Sequence, residues 1–431
     1  MNKITSLFFV LTLCFCFTHN ANAQVSTSNY EQPSCVSLYK ENNLGKVTPD
    51  NLYFVSYHSH NNLKDELIIT EISNPANSQK INLPDYFSAN DMFIISEWVY
   101  LCGTYKHDAA IAKLKLVELF SPNPIIHISP FSEPKIFSKL EVYVDENDEL
   151  IHIAAVGRDY SNEYLYMMTD ANDSLNCIRQ KYPGALTHLY HDVAVTDKYI
   201  VTAGMTNMTN YFIISVTKKT APNNVNWYFY SETSTTINSN TANVETLSGD
   251  TVAVTTVCVT PTSDYFTRVY IFDAATSTIL YSQDIPLQEK NDVIEMEYLN
   301  DTAHTLLLLQ ENVYPAGVQN SLFYFIRPFN TSSYNTSFFY NPDSQYYSLD
   351  HFNDGKFLAT GELKTGGHAY MIGREDPNTI PNCVMAEQIK IKISKAPNNY
   401  SITNTTNDEQ SAYFTLDLTT IPSPVSPSCH D

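Results

Sequence analysis

Seven recurrences of one strand pattern, at intervals of about 50 residues, predict an all-β chain folded as a seven-bladed β-propeller of four-stranded antiparallel blades. Each recurrence is an apolar strand, an Asp/Asn turn, a second apolar strand often ending in Gly, a polar loop and a third strand. Composition agrees: aromatics make up 13% of the chain, with 30 Tyr, a residue suited to strands buried at one end and wet at the other. Helical periodicity is nearly absent, and Ala109–Leu119 reads equally well as a strand.

The second strands set the count. They are Tyr53–Tyr57, Val99–Gly103, Ile151–Gly157, Ile200–Gly204, Val252–Val257, Leu306–Leu309 and Phe357–Gly361. Blades follow near residues 36–84, 88–129, 138–182, 189–231, 243–284, 293–341 and 346–394. The A–B turns carry Asn147-Asp148, Asp197-Lys198, Gly249-Asp250, Asn300-Asp301 and Asn353-Asp354-Gly355, residues that tolerate the positive φ of tight hairpins. Third strands are apolar runs such as Ala110–Val117 and Phe266–Phe272, while fourth strands such as Ile125–Ile128, Trp227–Tyr230 and Thr278–Ser282 are shorter, as outer edges tend to be. A ring must close. Ser411–Leu418, ended by Pro422, Pro424 and Pro427, is assigned to pair with N-terminal strands in one blade, so that strands from both termini close the ring.

The first residues are not part of this fold. Lys3, an apolar run from Leu7 to Phe17, and Ala21-Asn22-Ala23 before Gln24 have the order of a secretory signal peptide cleaved after Ala23. Residues 24–431 are then a single propeller domain, secreted or held in the periplasm or at the cell surface. No run approaches the ~20 apolar residues of a membrane-spanning helix.

The formal charge of −21 excludes nucleic acid and anionic lipid as partners and favours solubility, cations and basic partners. Six Cys follow the signal segment. Cys102 and Cys258 lie inside apolar second strands and read as buried thiols. One disulfide is expected among Cys35, Cys383 and Cys429, near the chain ends. No pair has the C-x-x-C spacing of a zinc or redox site.

The repeats resemble β-propeller proteins generally. They lack the Trp-Asp of WD repeats, the Gly-Gly pairs of kelch repeats and the sialidase box, while Val269–Leu280 resembles one blade of the YVTN or quinoprotein-like propellers. The signal peptide ending in Ala-Gln, the Asn/Tyr-rich composition and the tripeptides Asp173-Ser174-Leu175, Asp250-Thr251-Val252 and Asp301-Thr302-Ala303 resemble exported proteins of Bacteroidota. The tripeptides match the O-glycosylation motif of that phylum. This resemblance is one of fold and export and implies no specific activity.

Two residue sets converge on the axis. Asp91, Glu141, Asp192, Glu245, Glu295 and Asp350 fall in or near first strands, one carboxylate per blade around a channel. Crowded carboxylates bind a cation or a basic group, or raise one another's pKa, so a bound cation is the one small ligand the channel suggests, and no cofactor is predicted. The B–C loops bring His58, His60, His107, Asp108, Arg158, Asp159 and Tyr160 to one face, with Asp192 and Asp350 approaching its mouth from the channel. Polar groups interleaved with Tyr suit glycans or peptides. His58 and His60 share a strand face and could ligate a metal, but two ligands are not a site.

No G-x-S-x-G elbow and no phosphate-binding glycine loop occur. The reading is an exported, non-catalytic propeller that binds a glycan or a protein on the B–C loop face. The alternative is a carbohydrate-active enzyme, a glycoside hydrolase or polysaccharide lyase, which uses channel carboxylates and a His. Hydrolysis would need two carboxylates ~5–9.5 Å apart.

Overall fold

The computed structural model describes residues 43–373, apart from short loops between strands, together with strand segments in 27–31 and 392–430. These residues form seven antiparallel sheets. Their first strands are Asn43–Val47, Phe87–Ile95, Ile136–Val144, His188–Val195, Asn243–Ser248, Val293–Leu299 and Ser344–His351. Each first strand contacts the first strands of the two neighbouring sheets, and the last contacts the first, so the sheets close a ring. This is a β-propeller.

Alternation along each second strand explains the near-continuous apolar runs. In blade 2, Val99 and Leu101 pack toward blade 1, while Tyr100 and Cys102 pack toward blade 3. A sheet covered on both faces needs apolar residues at both parities. The same two-sided packing repeats around the ring, ending where Phe54 of blade 1 meets Phe352, Leu358 and Tyr370 of blade 7. Cys102 and Cys258 are buried and free, as the sequence indicated.

The Gly near the end of several second strands has a steric cause. Gly103 faces Ala89, Gly157 faces Phe137, Gly204 faces Tyr190 and Gly361 faces Tyr346, and in each case the first strand bulges at the next residue. A bulge pushes the partner backbone inward. A Cβ on Gly103 would lie 2.0 Å from the Ser88 carbonyl oxygen, and one on Gly361 2.0 Å from that of Gln345.

The chain ends depart from expectation in two ways. The fourth strand of blade 7 is N-terminal: Thr27–Glu31 pairs with His368–Gly373, and Ser426–His430 pairs outside it. Both termini therefore meet in one sheet, but Ser411–Leu418 is not the strand that joins them. Ala412–Thr415 instead pairs with the outer strand of blade 2, and Asp417–Thr420 with that of blade 1. Cys35 and Cys383 lie outside the described residues, as does the side chain of Cys429.

Gly103→Ala and Gly361→Ala should each lower stability by about 1–3 kcal/mol, since backbone rather than a flexible side chain occupies the space. Chemical denaturation checks this, with the exposed Leu280→Ala, expected to be near neutral, as control.

Candidate functional site

The bulges build the channel. Each shifts the register so that the residue after it turns inward: Asp91, Lys139, Asp192 and Glu295 line the channel, and Ser348 accepts the Gly45 N–H of blade 1. Two residues on, toward the A–B turns, the strand period of two brings Glu141, Glu297 and Asp350 to the axis as well. Glu245 holds the matching place in blade 5, because Val244 receives the contact from blade 4 that Leu140 receives from blade 2.

Carboxylates of both tiers act as latches between blades. Asp91 accepts the backbone N–H of Leu140 at 2.9 Å, and Asp192 that of Val244 at 2.9 Å. Glu295 accepts from Leu349 N at 2.6 Å, and Asp350 from Val47 N at 2.5 Å. Each is a bond from one blade's innermost strand to the next. Hydrogen bonds to a charged acceptor contribute about 1.5–3 kcal/mol each.

Two lysines cross the axis. Lys46 of blade 1 lies 3.9 Å from Glu295, 4.0 Å from Glu297 and 3.9 Å from Asp350, and donates to the Leu349 carbonyl at 3.2 Å. Lys139 of blade 3 reaches the same Glu295 at 3.7 Å. Burial opposes both charges, but the surrounding carboxylates outweigh it and hold both ammonium groups above their ordinary pKa. His351 Nδ1 donates to Glu297 Oε1 at 2.7 Å. Burial works against a charged ring, yet the Glu297 hydrogen bond and the Glu297 and Asp350 charges raise His351 to about 9. Burial also pushes Asp350 up, the Lys46 charge opposing it, and the result is about 6. Asp192 likewise rises to about 6, opposed by Lys139 and the Val244 N–H.

Glu141 and Glu245 are different. Enclosed by the channel walls, they keep part of their surface on the cavity and make no hydrogen bond or ion pair among the described residues. Burial raises both well above the ordinary carboxylate range; the Lys46 charge opposes it in each, and neighbouring acids add to it, Asp91 and Asp192 for Glu141, Glu297 and Glu141 for Glu245. The cavity they line measures about 310 Å³. Its walls hold seven carboxylates, two lysines and one histidine, and extend to the A–B turns at Thr48–Pro49, Asn51 and Asn353.

All six acids expected on the axis line this cavity, Asp192 and Asp350 included. Sequence reasoning missed Lys46, Lys139 and Glu297. Alignment on the second-strand Gly would have exposed Lys139, which sits opposite Val156, just before Gly157, as Asp91 sits opposite Cys102 before Gly103. Glu297, Asp350 and His351 come close enough to ligate a metal, but His351 is bonded to Glu297 and Lys46 neighbours both acids.

The B–C loop residues divide. His58 is fully buried between blades 1 and 7, its ring bonded to Asn43, Ser56 and Tyr370, so it is a packing residue rather than a loop ligand. The apolar strand runs one residue further than the His-x-His spacing suggests. His107 is exposed in a turn at φ 77°. Asp108 accepts from Lys135 Nζ at 2.6 Å, and the Lys135 backbone donates to the Arg158 carbonyl at 2.9 Å, which gathers Asp108 and exposed Arg158. His60, Asp159 and Tyr160 lie outside the described residues, as do most loops of that face.

The class these features define is a β-propeller with a carboxylate-lined, lysine-braced axial channel. No family model and no curated protein sequence matches the chain. Solved structures similar to it include the Dos1 propeller, 10% identical with a TM-score of 0.44 over 81% of this chain and 95% of that one. Another is the WD40 domain of SCAP from fission yeast, 11% identical with a TM-score of 0.43 over 93% of this chain and 98% of that one.

Two outcomes are expected. Asp91→Ala should cost about 1–3 kcal/mol by leaving the Leu140 N–H unpaired, and Asp91→Asn, which keeps an acceptor, should recover part of it on denaturation. The pKa of His351 is raised above its unfolded value near 6.5, so its contribution is complete below that pH and lost as pH rises through about 9. The melting temperature of the native protein should therefore fall more steeply between pH 6.5 and 9 than that of His351→Gln.

Proposed function

We propose that this chain is an exported, non-catalytic binding propeller that receives a protein or glycan at its axial channel. The observation that carries this reading is the use of the channel acids. Asp91, Asp192, Glu295 and Asp350 are committed to backbone N–H groups of the next blade, and Glu297 to His351. A glycosidase needs its acid pair free to trade protons with substrate, and a carboxylate that holds the ring together is a poor choice for that work, which leaves Glu141 and Glu245 as the uncommitted acids of the channel among the described residues. The cavity nevertheless has the size of a small-ligand pocket and reaches the surface residues of the A–B turns.

The test is a glycan array and a peptide library screened with the mature chain, its Asn353→Trp variant and a His107→Ala/Asp108→Ala/Arg158→Ala variant. Asn353 is exposed and lines the cavity, so Trp there should obstruct the mouth. Binding lost in Asn353→Trp and kept in the triple variant supports the channel. The reverse places the ligand on the B–C loop face. Turnover of any arrayed glycan rejects the non-catalytic reading.

A further inference from the structure

The A–B turn end of the propeller carries several exposed large hydrophobic side chains, on A–B turns, C–D connections or the strand ends beside them. Leu52 is at the A–B turn of blade 1, and Val117 and Phe120 are in the short 3-10 helix between the third and fourth strands of blade 2. Phe120 packs on Tyr53 of blade 1, with ring centroids 5.0 Å apart, which joins the two blades' contributions. Ile125 follows on blade 2, and Val144 and Leu150 flank the A–B turn of blade 3. The result is an apolar arc over three consecutive blades. Val117 is 67% exposed and Leu52 56%, unusual for aliphatic side chains on an acidic protein whose surface otherwise favours water.

The arc lies on the face to which the channel cavity extends. Leu52 directly follows Asn51, and Asn51, Thr48 and Pro49 line the cavity. The tier of acids nearer this end includes Glu141 and Glu245, the two side chains that face the cavity with no hydrogen bond or ion pair of their own. Burial and the neighbouring acids push these two carboxyls toward the protonated form against the pull of Lys46, and a cation placed between them draws them back to the charged form.

From this juxtaposition we infer an interface for a protein partner: a segment whose aliphatic side chains rest on Leu52, Val117 and Phe120 while a neighbouring Lys or Arg enters the channel and is received by Glu141 and Glu245. The inference rests on the binding reading above and names its partner class. The chemistry argues against a glycan at this end. A neutral sugar brings hydroxyls and adds no positive charge to the two acids beyond that of Lys46, and the arc offers it one exposed ring, Phe120, among aliphatic side chains. A basic segment answers both features, and the net charge of −21 draws it in from solution. Lys46 already shows what an ammonium group finds here, with three carboxylates within 4.0 Å.

The experiment uses the mature chain and a fluorescein-labelled nonapeptide with a central Lys-Lys pair flanked by leucines and serines, read by anisotropy. The matched control peptide carries norleucine in place of both lysines. Saturable binding of the lysine peptide is expected, with at least about tenfold weaker binding of the norleucine peptide. Glu141→Gln/Glu245→Gln should weaken the lysine peptide about tenfold, and so should Leu52→Ser/Phe120→Ser, each variant first shown to be folded by its melting curve. If either variant unfolds, the single Glu245→Gln and Leu52→Ser changes take its place. Equal affinity for the two peptides, insensitivity to the glutamine or serine changes, or no binding at millimolar peptide would overturn the proposal. Glycan binding that Asn353→Trp abolishes and the glutamine pair leaves intact would overturn it too, while leaving the channel-binding reading in place.

Discussion

The carboxylate-to-backbone bond between successive innermost strands is the contact on which the ring depends. First strands of neighbouring blades diverge from one another, so their inward N–H groups have no ladder partner. Asp91, Asp192, Glu295 and Asp350 supply one. Each sits one or more residues past a bulge, and for the first three the bulge is what turns the side chain to the axis. The Gly opposite the bulge is in turn what allows the backbone to come so close. Glycine, bulge and carboxylate thus form one device in blades 2, 4 and 7, while in blade 6 Gln310 stands opposite the bulge that precedes Glu295. Blade 3 breaks the series with Lys139, which cannot accept a hydrogen bond and spans the channel instead.

That exchange explains how seven acids can share a narrow space. Carboxylates in a medium of low polarity repel strongly unless counter-charges are fixed among them. Lys46, Lys139 and His351 are those counter-charges, and Glu297, beside two of them, is the acid held below its ordinary pKa. Glu141 and Glu245, on which burial outweighs the Lys46 charge, are pushed upward. The channel therefore contains acids of two kinds, some built into the scaffold and some held in reserve, on strands of identical pattern.

Much of this was legible in the sequence. Apolar runs such as Val99–Gly103 located the second strands because both faces of each sheet are covered, and the period placed an acid on the axis in six of the seven blades, all but the first. What escaped had physical reasons. Lys46 and Lys139 were overlooked because only acids were sought, although lysine at the same register is what makes the acids tolerable. His58 reads as a loop ligand from its spacing to His60, but its surroundings, Tyr370 and Asn43, are separated from it in sequence and contribute nothing local. The role of Thr27–Glu31 as the fourth strand of blade 7 is equally non-local: the strand is polar, short and distant in sequence from its partner, so no periodicity announces it. Ala412–Thr415 and Asp417–Thr420 are extended but do not join the termini, since pairing on outer edges is set by backbone alone, and backbone bonds do not record which blade they join.

The crossing lysines have a consequence for traffic along the axis. A hollow ring of strands invites comparison with a pipe, but Lys46 from blade 1 and Lys139 from blade 3 both reach across to Glu295 of blade 6. A molecule that enters from the A–B turns therefore meets fixed, mutually paired charges drawn from three separate blades, so the channel offers it a charged socket rather than a smooth-walled pipe.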